Sequence, residues 1–274
     1  MPFTASNSIV TRLGVTTSAN ENDDLIVEAL LIGRQLNAQF FPRSGKSIPY
    51  LLAWSGMDRL LIVRRDRYSL HDSNNAAYQY HPNLAIVRGA NYIKTGCDHY
   101  LEAANLASGD KVIDCTLGFG TEAQLAAMVV GEEGEIIGLE SVPELAIVSR
   151  NGLSRYTLLQ KTLEDAMRRI VVLNADYREY LRLSTTKSAD VVYFDPFFKE
   201  TLEKSTITIG PLATFGNRSP LDIRSITEAR RVARKRVIVK HPKSYALPDE
   251  ISAQVTETVA GRKSPVAYAV ITPF

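Results

Sequence analysis

Apolar residues change their spacing along this chain, and the change marks its organisation. Up to about residue 80 the pattern is mixed. Ile9-Val10 opens an extended run, and Asn22-Asp23-Asp24 caps a predicted helix whose Leu25, Ala29, Ile32 and Leu36 share one face. Leu60-Leu61-Ile62-Val63 and Tyr68-Ser69-Leu70 read as two strands joined by the charged turn Arg64-Arg65-Asp66-Arg67. Polar punctuation at Asp72-Ser73-Asn74-Asn75 and at Ser108-Gly109-Asp110 divides the chain. The stretch from His81 to Leu106 is mixed, with a helical second half from Asp98.

From Lys111 the pattern becomes regular. Strands are predicted at Val112-Ile113, at Glu135 to Leu139, at Ile170 to Leu173, at Asp190 to Phe194 and at Arg236 to Val239. Between them lie helical patterns at Thr121 to Val130, at Pro143 to about Tyr156 and at Ser219 to Ala233. Short apolar strands alternating with helices imply a parallel sheet covered on both faces. Ile251 to Val259 and Val266 to Ile271 flank Ala260-Gly261-Arg262-Lys263, which leaves no room for a crossover helix. They predict a terminal hairpin, and so a last strand antiparallel to its partner. The fold class expected is α/β: a doubly wound, mostly parallel sheet with a reversed terminal strand over residues 81–274. A small α/β region over residues 1–80 precedes it.

Composition narrows the function classes. The 274 residues are 45% hydrophobic and 23% charged, an ordinary globular balance. Cys97 and Cys115 are too few for a disulfide framework or a cysteine zinc site, and His71, His81, His99 and His241 show no paired spacing. A net charge of +2 excludes a generally basic nucleic-acid binder, so any such contact must come from local patches. The start of the chain does not read as a signal peptide, and no apolar run approaches the ~18 residues of a membrane span. A cytoplasmic protein with reduced thiols is expected.

In an open α/β sheet, ligands bind beyond the carboxyl ends of the strands. After the first strand stands Asp114-Cys115-Thr116-Leu117-Gly118-Phe119-Gly120-Thr121-Glu122. Two glycines at spacing two, opening a helix, allow a tight turn and a close backbone approach to an anionic group. After the second stands Glu140-Ser141, where a carboxylate can accept from both hydroxyls of a ribose. After the third stands Asp176-Tyr177, an acceptor for an adenine amine beside a ring, or simply a helix cap. After the fourth stands Asp195-Pro196-Phe197-Phe198, an acceptor beside flat apolar faces, which suits a planar base with an exocyclic amine. Cys115, next to the glycine loop, reads as a small core residue.

These segments together resemble the class I S-adenosylmethionine-dependent methyltransferases, whose sheet is seven-stranded with a reversed terminal strand. Asp195-Pro196-Phe197-Phe198 resembles the motif of enzymes that methylate exocyclic amines. The likeness is greatest to the RsmJ-type enzymes, which methylate guanine N2 in bacterial small-subunit ribosomal RNA. Their loop runs Asp-x-Thr-x-Gly-x-Gly, as Asp114, Thr116, Gly118 and Gly120 do here, and their later motif is Asp-Pro-x-Phe. The resemblance implies cofactor contacts at those four residues and at Thr121, Glu122, Glu140, Ser141, Asp176, Tyr177 and Asp195. It implies catalytic roles for Asp195, Pro196, Phe197 and Phe198. The partner it implies is RNA, in small-subunit rRNA or the ribosomal subunit, and a homodimer stays open. This chain departs where those enzymes carry Arg-Asp at Thr121-Glu122 and proline at Lys199. Val87-Arg88-Gly89 and Lys94 to Asp98 only echo their basic segment. Residues 1–80 are assigned to substrate recognition.

Two basic clusters are candidates for phosphate contact: Arg64, Arg65 and Arg67, and the run Arg230, Arg231, Arg234, Lys235 and Arg236. A methyltransferase for a small molecule or a protein, a dinucleotide oxidoreductase and a non-catalytic cofactor-binding module remain alternatives. The oxidoreductase is disfavoured because no full Gly-x-Gly-x-x-Gly is present, although Ala123 takes the third place, and because Asp195-Pro196 and the reversed terminal strand have no role in one.

Overall fold

The structure, a computed structural model, describes residues 11–82, 84–197 and 210–274. It divides into two compact units after Gln79. The expected extended run at Ile9-Val10, and Phe198 and Lys199, lie outside the described residues.

The first unit is a five-stranded sheet in the order β2-β1-β3-β4-β5, where β1 is Leu13–Thr17, β2 Gln39–Phe40, β3 Arg59–Val63, β4 Tyr68–Asp72 and β5 Ala77–Gln79. β1, β2 and β3 are mutually parallel, and β4 runs antiparallel to both β3 and β5. Helix α1, Asp23–Leu36, starts where the capping pattern predicts, with Asn22 accepting from the Leu25 N–H at 3.0 Å. Helix α2, Ile48–Ser55, carries Leu51 and Leu52 into a small core with Phe41, Leu60 and Ile62. The alternation did not reveal it, because only two turns separate its Ser47 cap from Gly56.

In the second unit, α3 (Leu84–Thr95) and α4 (His99–Ala104) lead into the sheet, with Asp98 capping α4. The sheet strands are β6 Lys111–Asp114, β7 Glu135–Glu140, β8 Ile170–Asn174, β9 Ala189–Phe194, β10 Ala233–Pro242, β11 Val255–Val259 and β12 Val266–Ile271. Their order is β11-β12-β10-β9-β6-β7-β8. The pairs among β6 to β10 are parallel and β12 runs antiparallel to β10, as the terminal hairpin requires. Helices α5 (Thr121–Val130), α6 (Pro143–Arg155), α7 (Lys161–Arg168) and α8 (Tyr177–Leu183) join the strands. A core of Ile113, Ile137, Leu139, Val192, Phe194, Val237 and Val239 fills one face of the sheet against helix Ile223–Val232.

Three expected boundaries move. The helix expected from Ser219 begins at Ile223, because Pro220 precedes it and Asp222 caps it through the Ser225 N–H at 2.7 Å. The strand expected from Ile251 begins at Val255, since Asp249–Ser252 forms a helical turn that buries Ile251. Strand β10 continues beyond Val239 through Lys240, His241 and Pro242, held by β12.

The order of strands dictates where a site can form. Chain order runs from β6 outward through β7 and β8, then returns to the other side of β6 with β9 and β10. Loops leaving β6 and β9 therefore diverge, and a crevice opens at their carboxyl ends.

Candidate functional site

A cavity of about 640 Å³ occupies that crevice, within the ~300–1,000 Å³ range of ligand pockets. Its floor is the loop after β6. Gly118 (φ +50°) and Gly120 (φ +65°) adopt the left-handed conformation that side chains disfavour. Leu117, just before Gly118, turns inward, 3% exposed, and packs on Gly138 of β7 so closely that a Cβ there would lie 2.5 Å from its Cδ1. Burying Leu117 pins the loop; Ser149 of α6 adds a hydrogen bond to the Gly118 carbonyl at 2.9 Å.

Two bonds stitch this loop to β9. The Cys115 N–H donates to the Tyr193 carbonyl at 2.9 Å, and the Asp195 N–H donates to Thr116 Oγ1 at 2.6 Å. Asp114, Thr116, Gly118, Gly120, Thr121, Glu122, Glu140, Ser141, Tyr177, Asp195, Pro196 and Phe197 all line the cavity. Asp176 does not; it caps α8 through the Arg178 N–H at 2.8 Å and pairs with the Arg178 side chain. Leu212, Gly216 and Asn217 cover the opposite side, with Asn217 donating to Ser141 Oγ at 3.2 Å.

Carboxylates in this crevice are strongly perturbed. Asp114 accepts from the Thr116 N–H, yet burial with Glu122 and Asp195 nearby pushes its pKa up to about 8. Glu140 sits at the end of β7, bonded to the Val142 N–H at 2.9 Å, and burial pushes it up to about 7. Burial would raise Glu122 as well, but Lys240 and Arg88 outweigh it and hold it at about 2. Burial pushes the Cys115 thiol well up, which leaves it an inert core residue.

Sequence reasoning missed the ionic chain behind Asp195. Lys240 Nζ lies 2.8 Å from Asp195 Oδ2 and 3.2 Å from Glu122 Oε1. Arg88 reaches Glu122 at 2.7 Å and Asp98 at 2.9 Å, and Tyr268 donates to Glu122 at 3.2 Å. Three carboxylates thus face two cations around the cavity wall, an excess of one negative charge. Lys240 interrupts the apolar run Val237-Ile238-Val239, and a charge at that strand end was the available signal. Arg88, on α3, had only the faint echo of a basic segment at Val87-Arg88-Gly89, which did not indicate its carboxylate partners.

The second basic cluster is spent inside the chain. Arg234 pairs with Asp190 and Lys235 with Asp110 at the opposite end of the sheet. Arg231 bonds the Leu181 and Ser184 carbonyls, Arg236 that of Ala103, and Arg230 that of Thr272. Among the described residues no group of three metal-ligating side chains occurs, and no helix is long and apolar enough to cross a membrane.

The residues fit a cationic nucleoside-type cofactor on three observations. Gly118 and Gly120 line the cavity in left-handed conformations without side chains of their own, Glu140 offers a buried acceptor, and the wall carries excess negative charge. The phenolic oxygens of Tyr177 and Tyr193, both on residues lining the cavity, are buried without a hydrogen-bond partner.

Comparison with known proteins agrees. Residues 96–263 match the family model described as "Putative SAM-dependent methyltransferase". The chain is 37% identical over 226 residues to the uncharacterized protein YpiP of Bacillus subtilis, covering 82% of this chain and 87% of that one. It is 31% and 34% identical, over 140 residues each, to ribosomal RNA small subunit methyltransferase J of Haemophilus ducreyi and of Laribacter hongkongensis. Those alignments cover 50% of this chain and 53% and 48% of theirs, so the chain matches about half the length of these relatives. A solved SAM-dependent methyltransferase from Neisseria gonorrhoeae superimposes with a TM-score of 0.62 at 18% identity, over 95% of this chain and 96% of its own. That likeness is one of fold.

Proposed function

Because the chain belongs to the SAM-dependent methyltransferases, with S-adenosylmethionine as cofactor, we propose that it methylates an exocyclic amine of a base, guanine N2, in ribosomal RNA. The observation that carries the acceptor assignment is Asp195-Pro196-Phe197, placed on the cavity wall at the end of β9. A carboxylate beside an aromatic face recognises a planar amine, and the partial matches to small-subunit rRNA methyltransferases support RNA as its source.

In this reading Glu140 accepts from the ribose hydroxyls, and the Gly118 to Thr121 backbone lies along the cofactor's carboxyl end. Ser141 and Tyr177 flank the nucleoside, and Asp114 and Thr116 hold the loop. Asp176, off the cavity wall, acts only through Tyr177. When bound, S-adenosylmethionine supplies an electrophilic methyl carbon on a positively charged sulfur. Asp195 accepts a hydrogen bond from the acceptor amine and stabilises the positive charge that develops on its nitrogen. Phe197 stacks on the base, at a gain of about 1–3 kcal/mol. Leu212 and Phe197 exclude water from the cavity mouth. The N-terminal unit contributes RNA contacts through its Arg65 and Arg67 turn.

The test is methyl transfer to small-subunit rRNA from cells lacking the gene, with the modified nucleoside identified by mass. Asp195→Ala is expected to abolish transfer while cofactor affinity stays within about threefold, the mark of an interaction made only in the transition state. Unchanged turnover in that variant refutes the role of Asp195. Affinity for RNA is expected to fall with rising salt and to fall less steeply in an Arg65→Gln, Arg67→Gln variant. A flat salt response excludes an RNA substrate.

A further inference from the structure

Lys240 is costly to keep where it stands. It follows three fully buried apolar residues, Val237, Ile238 and Val239, and its own side chain is only 20% exposed. Hydrophobic replacement of a buried ion pair is often neutral or stabilising, so fold stability alone gives little reason for a charge there. Its geometry gives another. The ammonium has three donors, and two are used, on Asp195 Oδ2 at 2.8 Å and on Glu122 Oε1 at 3.2 Å. Asp195 Oδ1 takes part in no hydrogen bond given by the described residues, and the Asp195 side chain, 38% exposed, borders the cavity.

We propose that Lys240 is the positioning residue for methyl acceptance: by binding Oδ2 it turns Oδ1 of Asp195 toward the acceptor amine and keeps the carboxylate charged. The inference rests on the assignment of Asp195 as the amine's hydrogen-bond acceptor. A neutral carboxyl presents an O–H donor on one oxygen and so conflicts with the N–H groups of an amine. Burial and the charge of Glu122 push Asp195 toward that neutral form, and besides Lys240 only the more weakly acting Arg88 opposes them among the described residues. Glu122 from α5 and Asp114 from β6 are acidic, Tyr193 from β9 and Tyr268 from β12 are phenols, and Arg88 from α3, bonded to Glu122 and Asp98, lowers the Asp195 pKa less than Lys240 does. Burial raises the Asp195 pKa, and Lys240 is the chief force pulling it back. Lys240 itself stays protonated: burial opposes its charge, but Asp195 and Glu122 together raise its pKa.

The same arrangement has a rival meaning, a brace that merely ties α5 to β10. Two readouts on Lys240→Met and Lys240→Arg separate them. The first uses the protein alone: carboxyl-carbon NMR titration of Asp195, assigned by difference from Asp195→Asn. The second is the single-turnover rate on unmodified small-subunit rRNA across the same pH range.

In Lys240→Met the Asp195 titration and the acidic limb of the rate profile should rise together by about one pH unit or more. Below that limb the rate should drop about tenfold, and it should recover in alkali. Lys240→Arg, which keeps the charge, should bring both back to within about half a unit of wild type. A rate lowered equally at every pH, or an Asp195 titration unmoved in Lys240→Met, overturns the proposal. A wild-type protein that methylates no RNA refutes the acceptor assignment instead, and the NMR titration still judges Lys240.

Discussion

Replacing Glu140 by Gln separates two consequences of one buried carboxyl. Glu140 is 9% exposed, and burial moves its pKa from 4.5 to about 7. Between those values the folded state holds a proton that the unfolded chain releases, so stability falls as pH rises. The penalty is absent below about pH 4.5, grows through the interval and is complete above about pH 7. At about 1.4 kcal/mol per pH unit it reaches about 3 kcal/mol. Gln carries no such penalty, and its amide oxygen can keep the 2.9 Å bond from the Val142 N–H. For a protein of this size about 2–4 °C per kcal/mol puts the gain at about 6–12 °C. The variant should therefore melt with wild type in acid and above it at about pH 8.

Cofactor binding should move the opposite way. A ribose diol loses a charged acceptor, a loss of about 1.5–3 kcal/mol, or roughly 10- to 100-fold in affinity. Thermal melts across that pH range, with and without S-adenosylhomocysteine, read both effects, since ligand stabilisation scales with ligand concentration over Kd. A melting difference that does not grow with pH refutes the burial argument. An undiminished ligand shift removes Glu140 from the cofactor site.

Other perturbations test the supports of the site. Gly138→Ala places a Cβ 2.5 Å from Leu117 Cδ1 and should cost about 1–3 kcal/mol by overpacking, with weaker cofactor binding as the glycine loop shifts. Urea denaturation and calorimetry with S-adenosylhomocysteine measure the two effects, and an unaltered variant would show that the loop is not pinned by Leu117. Arg88→Met takes the ion-pair partner from buried Asp98, 8% exposed, and leaves Glu122 on Lys240 and Tyr268, and should cost about 3–5 kcal/mol in urea unfolding. A loss below about 1 kcal/mol would mean that the pair behaves like a solvated surface bridge.

Much of the fold was legible because burial leaves a local trace. Val112-Ile113, Glu135 to Leu139 and Asp190 to Phe194 read as strands since both sheet faces are covered, and the short Ala260 to Lys263 turn forced the reversed last strand. Helices α2 and α7 left weaker traces: each is eight residues long, and α7 buries only Leu163, Ala166 and Met167 among polar neighbours. Charges were the least legible part. The run from Arg230 to Arg236 looks in sequence like a phosphate patch, yet its partners Asp190, Asp110, Ala103 and Thr272 come from distant segments.

The order of apolar and polar residues by itself determined the alternating strands and helices and placed Asp114, Glu140 and Asp195 at strand ends, because secondary structure and strand boundaries follow from which neighbours must leave water. Only the tertiary structure decided which charges meet. Arg88 and Tyr268 stand 180 residues apart and share Glu122 because the sheet sets β12, β10, β9 and β6 side by side, and α3 brings its arginine to the carboxyl end of that array. Ion pairing depends on distance in space, and distance in space is fixed by strand order, which no local pattern encodes.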